Sequence, residues 1–322
     1  MQHDSEIDLA LDALSPQQWA DRLVEIGDEA GYCERLGEAH WAFFADNGPV
    51  LLVSFETVDS IRAQQDDQLP MGYAIARARG WSHLSIIAQS DTWFRDKTVY
   101  AYFDRMVDDA FFEDFDRVVF YGAGMAGYAA AAYSVAAPGA TVLALAPQAS
   151  LDPMVAGWDQ RFRHMRRAAF TDRFGFAPDM MEGAGEGFVI YDPREPLDAM
   201  HAALFTRPYV TKLACPNLGA DIEMGLKDCR ILRPLIEAAC EGNLDSQLFW
   251  KMYRSRRESL RYLRKVTARL DAEGRYYLNA LLCRNVTSRL DKPRFRNRFA
   301  HLHETLAAAG ITLPPERSAA KK

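Results

Sequence analysis

What the 322-residue chain lacks narrows its class before any motif is considered. It has five cysteines (Cys33, Cys215, Cys229, Cys240 and Cys283), an odd number, and none forms a C-x-x-C pair. That argues against a disulfide-framed domain and against a structural zinc site. No apolar run approaches the length that spans a bilayer, so no membrane insertion is expected. The first residues, MQHDSEIDLALDALSP, are acidic where a secretory signal carries positive charge ahead of an apolar stretch. A cytoplasmic protein is expected. Internal repeats and low-complexity tracts are missing too. Positive charge is scarce over most of the chain: residues 1–226 carry 17 Lys and Arg against 34 Asp and Glu, and residues 227–322 carry 21 against 10. The simplest cause is a basic module docked on an acidic body, so nucleic acid is not an expected partner.

What is present suits a sizeable core, with 49% hydrophobic and 25% charged residues. LSPQQWADRLVEIGDEAG reads as a helix with Ser15 as N-cap, Pro16 at its first position and Gly31 beyond its end. Two β-rich runs then flank Asp46-Asn47-Gly48, which has the chemistry of a hairpin turn. Further strands are expected at 83–89, 116–122, 141–148, 187–193 and 209–216, separated by helices at KTVYAYFDRMVDDAFF, AGYAAAAYSVAA and PLDAMHAALF. Continuous apolar strands alternating with helices predict an α/β fold, a mostly parallel sheet covered on both faces. Residues 151–186, rich in Arg, Met and Phe, interrupt the alternation as a cap-like insertion. Beyond 226 only helices are expected, with Phe249, Met252, Leu260, Leu263, Val266 and Leu270 forming one apolar stripe. The expected domains are therefore 1–226 and a basic α-helical module over 227–322.

Gly122-Ala123-Gly124-Met125-Ala126-Gly127 spells G-x-G-x-x-G between a strand and an Ala-rich helix, the written form of a dinucleotide fingerprint. Its context differs from that of a nicotinamide site. The fingerprint normally follows the first strand, with an acid about 20 residues on to hold the ribose. Here at least three strands precede it, and the next strand ends in Ala146-Pro147-Gln148 with no acid at its tip.

The competing pattern is the nucleophile elbow, G-x-S-x-G, a strained turn from strand to helix. YGAGMAGYAA (121–130) resembles the elbow Y-G-S-S-M-G-G-Y-A-A of one branch of the α/β-hydrolase superfamily, with Ala123, Gly124 and Ala126 replacing Ser, Ser and Gly. VLALAPQASLDP (142–153), YDPREPLDAMHA (191–202) and GADIEMGL (219–226) are similar to later segments of that branch, in the same order. The resemblance covers about residues 48–226. It implies an α/β-hydrolase-like fold in which the nucleophile position is Gly124, the triad histidine position is Ala220, and only the acid, Asp192, is kept. Serine attack needs a hydroxyl and a base, and glycine and alanine supply neither. The elbow is then kept for its shape, since glycine adopts the required backbone with little strain.

Other candidates are fewer. Gly122, Gly124 and the Met125 N–H, with a second donor near Glu56 or Thr57, would form a remnant oxyanion pocket able to bind a ligand. Arg161 and Arg163 (with Arg166 and Arg167) offer a clamp for an anionic ligand, or merely a solvated helix face. His83, His201, His301 and His303 lack metal-ligand spacing beside a carboxylate, and Cys215 has no visible base. The expectation is a non-hydrolytic protein that binds a small ligand or a protein partner, without cofactor or metal. The alternative is an enzyme of different chemistry: a hydrolase with a relocated nucleophile, or a nicotinamide-dependent or phosphoadenosine phosphosulfate reductase. For the last, neither an S-G-G-x-D-S-type loop nor a C-terminal E-C-G segment is present.

Overall fold

The computed structural model describes residues 15–64 and 68–315; the acidic N-terminal stretch lies outside them. Eight strands form one sheet: β1 (Gly31–Leu36), β2 (His40–Ala45), β3 (Val50–Thr57), β4 (Ser82–Ala88), β5 (Arg117–Ala123), β6 (Thr141–Leu145), β7 (Glu186–Tyr191) and β8 (Val210–Ala214). Their order is β1-β2-β4-β3-β5-β6-β7-β8. β2 runs antiparallel to β1 and β4, and the pairs from β4 through β8 are parallel. This is the mostly parallel, α/β-hydrolase-like sheet that the alternation and the resemblance lead one to expect.

The turn at Asp46-Asn47-Gly48 is a correction. It joins β2 to β3, but the two strands do not pair, because β4 lies between them. The hairpin is β1–β2, with Gly37 in its turn at φ +64°. β1 escapes a sequence reading because GYCERL is half polar, as a strand on the sheet's edge can be. Ser82 Oγ ties down the Asp46–Gly48 turn instead, accepting from Asn47 N–H at 2.9 Å and Gly48 N–H at 3.0 Å.

Each sheet face carries its own apolar cluster. On one, Phe44, Val53, Phe55 and Ile86 pack against α4 (Lys97–Asp108) and α5 (Met125–Tyr133). On the other, Trp41, Phe43 and Ile87 meet α1 (Pro16–Ala30), α2 (Val58–Gln64) and α3 (Met71–Arg79). Ser15 caps α1 in a reciprocal capping box with Gln18. The segment 151–186 holds only short elements, among them α6 (Pro153–Ala156) and α7 (Ala177–Met180). Its Phe162 and Phe170 pack edge-on against Trp93, which follows β4. α8 (Pro196–Ala203), α9 (Ile222–Asp228), α10 (Leu232–Cys240) and α11 (Ser246–Met252) follow β7 and β8. No helix among the described residues is long and apolar enough to cross a membrane.

The chain divides into two compact units, residues 1–227 with 231–251, and residues 228–230 with 252–322. The division falls later than the boundary at 226 expected from charge, because α10 carries an apolar face (Leu232, Leu235, Ile236, Ala239) buried with the sheet unit. The single stripe from Phe249 to Leu270 is also corrected. Phe249 belongs to the first unit, a 3-10 turn spans Tyr253–Arg257, and Ser259 caps a separate helix, α12 (Leu260–Ala272). The second unit packs α12 with α13 (Tyr276–Leu290) and α14 (Pro293–Ala308) around Leu263, Cys283, Val286 and Phe295.

Arg95 fastens the 151–186 segment. Its side chain is 1% exposed, pairs with Asp172, and donates to the carbonyls of Ala169 and Arg173, each at 2.9 Å. The guanidinium lies over the rings of Tyr100 and Phe170. Arg95→Leu removes these bonds and the ring contacts of a buried guanidinium, while its exposed acceptors can turn to water, and is expected to cost about 1–3 kcal/mol of stability. Amide exchange should accelerate most over residues 168–176; uniform acceleration along the chain would show that Arg95 does not hold that segment.

Candidate functional site

Three glycines hold the turn from β5 to α5, two by allowing close approach and one by its backbone conformation. A Cβ on Gly122 would sit 2.2 Å from the carbonyl oxygen of Ala126, and one on Gly127 would sit 3.0 Å from that of Leu145. Both absences let α5 approach β5 and β6 closely. Gly124, between them, adopts φ +57° and ψ −119°, a conformation that side-chain-bearing residues take only under strain. A Cβ there meets nothing within 4 Å. The turn thus combines a positive-φ backbone with open space over Gly124.

The other two positions that the resemblance aligns lie at the same end of the sheet. β6 alone separates β5 from β7, so their ends are about 10 Å apart at the usual strand spacing. Asp192, just past β7, is buried, and its Oδ2 accepts from Gly219 N–H at 2.7 Å. Its Oδ1 accepts from Arg194 N–H at 2.9 Å. The carboxylate thus ties the loop before α9 to the end of β7. Ala220, next in that loop, is exposed and carries no proton acceptor.

A pocket of about 180 Å³ opens beside the elbow. Of the residues singled out from sequence, Glu56, Thr57 and Met125 line it, joined by Asp91, Ala126 and Glu223. Gly122, Gly124, Arg161 and Arg163 do not. Thr57 does not provide the second oxyanion donor, since its N–H donates to Ser60 Oγ at 3.0 Å. The physical reason is that α2 begins directly after β3, and Thr57 and Ser60 are spent closing its first turn. Met125 does face the site, and its Sδ accepts from Trp93 N–H at 3.1 Å.

Three carboxyl groups line the pocket; Asp91 is exposed, and Glu56 and Glu223 lie deeper. Glu56 accepts from Met71 N–H at 3.0 Å and from Ser54 Oγ at 2.9 Å. Burial nevertheless pushes its pKa up to about 7, with the nearby Glu223 carboxylate adding to the rise. Glu223 is likewise raised, chiefly by burial, although the Tyr121 hydroxyl donates to it and favours its ionised form. Tyr121 itself is raised well above its ordinary value by burial and by Glu223, so it stays a phenol. Glu56 is therefore poised between its protonated and ionised forms near neutral pH. Sequence reasoning missed Glu223, whose three-residue distance from Ala220 at the start of α9 was the available signal.

Beneath the pocket a polar stripe crosses the sheet. Ser54 Oγ lies 2.9 Å from His83 Nε2 and 3.2 Å from Ser85 Oγ. This has the residue types of a relocated triad but not its geometry. Ser54 and His83 are fully buried, and Glu56 bonds the serine rather than His83, whose Nδ1 has no partner. Burial also drives His83 down to about 3, so it stays neutral. Gly72 of α3 closes over it, where a Cβ would sit 2.3 Å from Nε2.

Arg161 is occupied elsewhere. It binds Asp159 through Nε and Nη2 and Asp198 through Nη1 at 2.7 Å, which uses its fork on two buried carboxylates rather than on an external anion. Arg163 is exposed and donates to Gln160. His201 joins the Arg161 cluster: its Nδ1 accepts from Ala149 N–H at 3.1 Å, which leaves Nε2–H to donate to Asp159. Among the described residues no group of three or more His, Cys, Asp or Glu is arranged to hold a metal ion.

No protein-family model matches the chain, and comparison with curated proteins finds no match. Among solved structures it is similar to EstE1, a thermostable carboxylesterase from a metagenomic library (13% identity, 72% of this chain and 99% of that one, TM-score 0.41). It is also similar to a hormone-sensitive lipase from a metagenome library (15%, 71% and 98%, 0.43). A third is a Pyrobaculum calidifontis esterase (11%, 70% and 91%, 0.42). The fold rests on the strand order and connectivity, not on these scores.

The buried carboxyl predicts a pH signature. Glu56 keeps its proton up to about pH 7 when folded and up to about 4.5 when unfolded. The folded state thus holds more protons between those values, and this contribution to stability falls as pH rises through the window. The span corresponds to roughly 3 kcal/mol. His83 slopes the other way between about 3 and 6.5, so the wild-type curve alone hides the effect. The unfolding free energy of Glu56→Gln minus that of wild type should grow from pH 4.5 to 7 and level off outside. A difference independent of pH would place the Glu56 carboxyl in its ordinary range.

Proposed function

We propose that this chain is a non-hydrolytic α/β-hydrolase-like protein that binds a small ligand in the pocket beside its elbow. The observation that carries the reading is Gly124: the strained backbone and the space for a nucleophile are both kept, and the nucleophile is not. Two further features support it. Asp192 spends both carboxylate oxygens on backbone N–H groups, and no base stands at Ala220. With Glu56, Asp91 and Glu223 and no basic side chain in its lining, the pocket suits an uncharged or cationic ligand.

A second reading has its own observation. Glu56 and Glu223 are raised carboxyl groups at one cavity, an arrangement suited to proton transfer on a bound substrate. The two readings part in one experiment. Purified protein is assayed with an activated ester and with a serine-directed covalent inhibitor. Turnover should not exceed the roughly 10³–10⁴-fold over water that an oxyanion site alone gives, and no adduct should form. Gly124→Ser alone should gain little, lacking a base, whereas Gly124→Ser with Ala220→His should exceed either single variant. Robust wild-type turnover lost in Glu56→Gln would replace the first reading by the second.

A further inference from the structure

We propose that the second unit carries an anion site of its own, built by Arg264 of α12 with Arg294 and Arg298 of α14, for a small organic phosphate bearing at least two negative charges. A cavity of about 410 Å³ lies between the two helices. Helical spacing puts the groups there: Arg264, Thr267 and Asp271 recur along one face of α12, and Arg294, Asn297, Arg298 and His301 along one face of α14.

Three facts make the cavity cationic. Its sole acid, Asp271, is already engaged, accepting from Asn279 Nδ2 at 2.7 Å and from Arg298. The guanidinium groups of Arg264 and Arg294 are exposed and have neither hydrogen bond nor ion pair among the described residues. Arg298 Nε is buried and has no acceptor. The surroundings reinforce this, since residues 252–315 hold 14 Lys and Arg against five Asp and Glu.

The ligand's chemistry follows from the donors. A single carboxylate satisfies one guanidinium fork, whereas forks arriving from two helices call for several oxygens spread around more than one centre, as phosphates provide. Phe295, Ala268 and Cys283 line the cavity beside them, adding apolar wall for an organic portion. A polymer fits less well: Phe295 is 3% exposed, and the lone imidazole of His301 is too little ring surface for a row of stacked bases.

Calorimetric titration of the full chain with inorganic pyrophosphate at low ionic strength tests this. One equivalent should bind, and Arg264→Ala with Arg294→Ala should weaken it by about tenfold or more, as lost charge-assisted hydrogen bonds imply. Arg264→Lys with Arg294→Lys should fall between, because charge remains while the fork is gone. Arg254→Ala, an exposed charge outside the cavity, should bind like wild type. Absence of binding, equal weakening by Arg254→Ala, or indifference to the double variant in folded protein would each overturn the proposal. So would tighter binding of a single-stranded oligonucleotide than of pyrophosphate, which would mark a polymer-binding face.

Discussion

Everything around the first site hangs on how closely one helix can approach two strands. α5 starts one residue after β5 ends, and there is no room for a side chain at Gly122 or Gly127, where backbone atoms crowd in. That contact fixes the helix N-terminus over the sheet, and it forces the intervening residue into a left-handed conformation. Gly124 is therefore a product of packing as much as of chemistry. The same turn that strains a serine in an esterase costs glycine little. Glycine at this turn spares the fold that strain, and the walls of the pocket stand beside it.

The polar residues show how far the interior departs from an apolar core. Ser54, Glu56, His83 and Ser85 share one sheet face with Tyr121, and each buried polar atom needs a partner or a protonation state that spares it one. Glu56 gains protonation, His83 loses it, and both changes follow from burial. In the Asp159–Arg161–Asp198 cluster the solution is pairing instead. Two strategies for the same desolvation cost thus operate within one domain.

The sequence disclosed the sheet from β3 to β8 because apolar strands and helical spacing are local signals. The tight turn from β5 to α5 at Gly124 was legible because glycine and alanine at fixed offsets are local signals too. Strand order was not local: Asp46-Asn47-Gly48 has hairpin chemistry, yet β4 intervenes, and only the register of distant strands decides that. The partnership of Glu56 and Glu223 was hidden for the same reason, one being on β3 and the other on α9. Arg161 looked available because its two carboxylate partners lie on separate segments. The break at Ser259 was the exception, a local capping signal masked by a long apolar periodicity.

α5 itself has almost no outer surface. From Ala126 to Tyr133 every residue is buried, the hydroxyls of Tyr128 and Tyr133 end on the carbonyls of Phe174 and Phe94, and the stretch contains no charged side chain. Such a helix cannot fray into water on its own, because opening it means parting the sheet from the segment that covers it. Its amides are expected among the slowest to exchange, released only when the whole unit unfolds. The helix that follows the Gly124 turn thereby offers a buried reference against which movement in the surrounding loops can be measured.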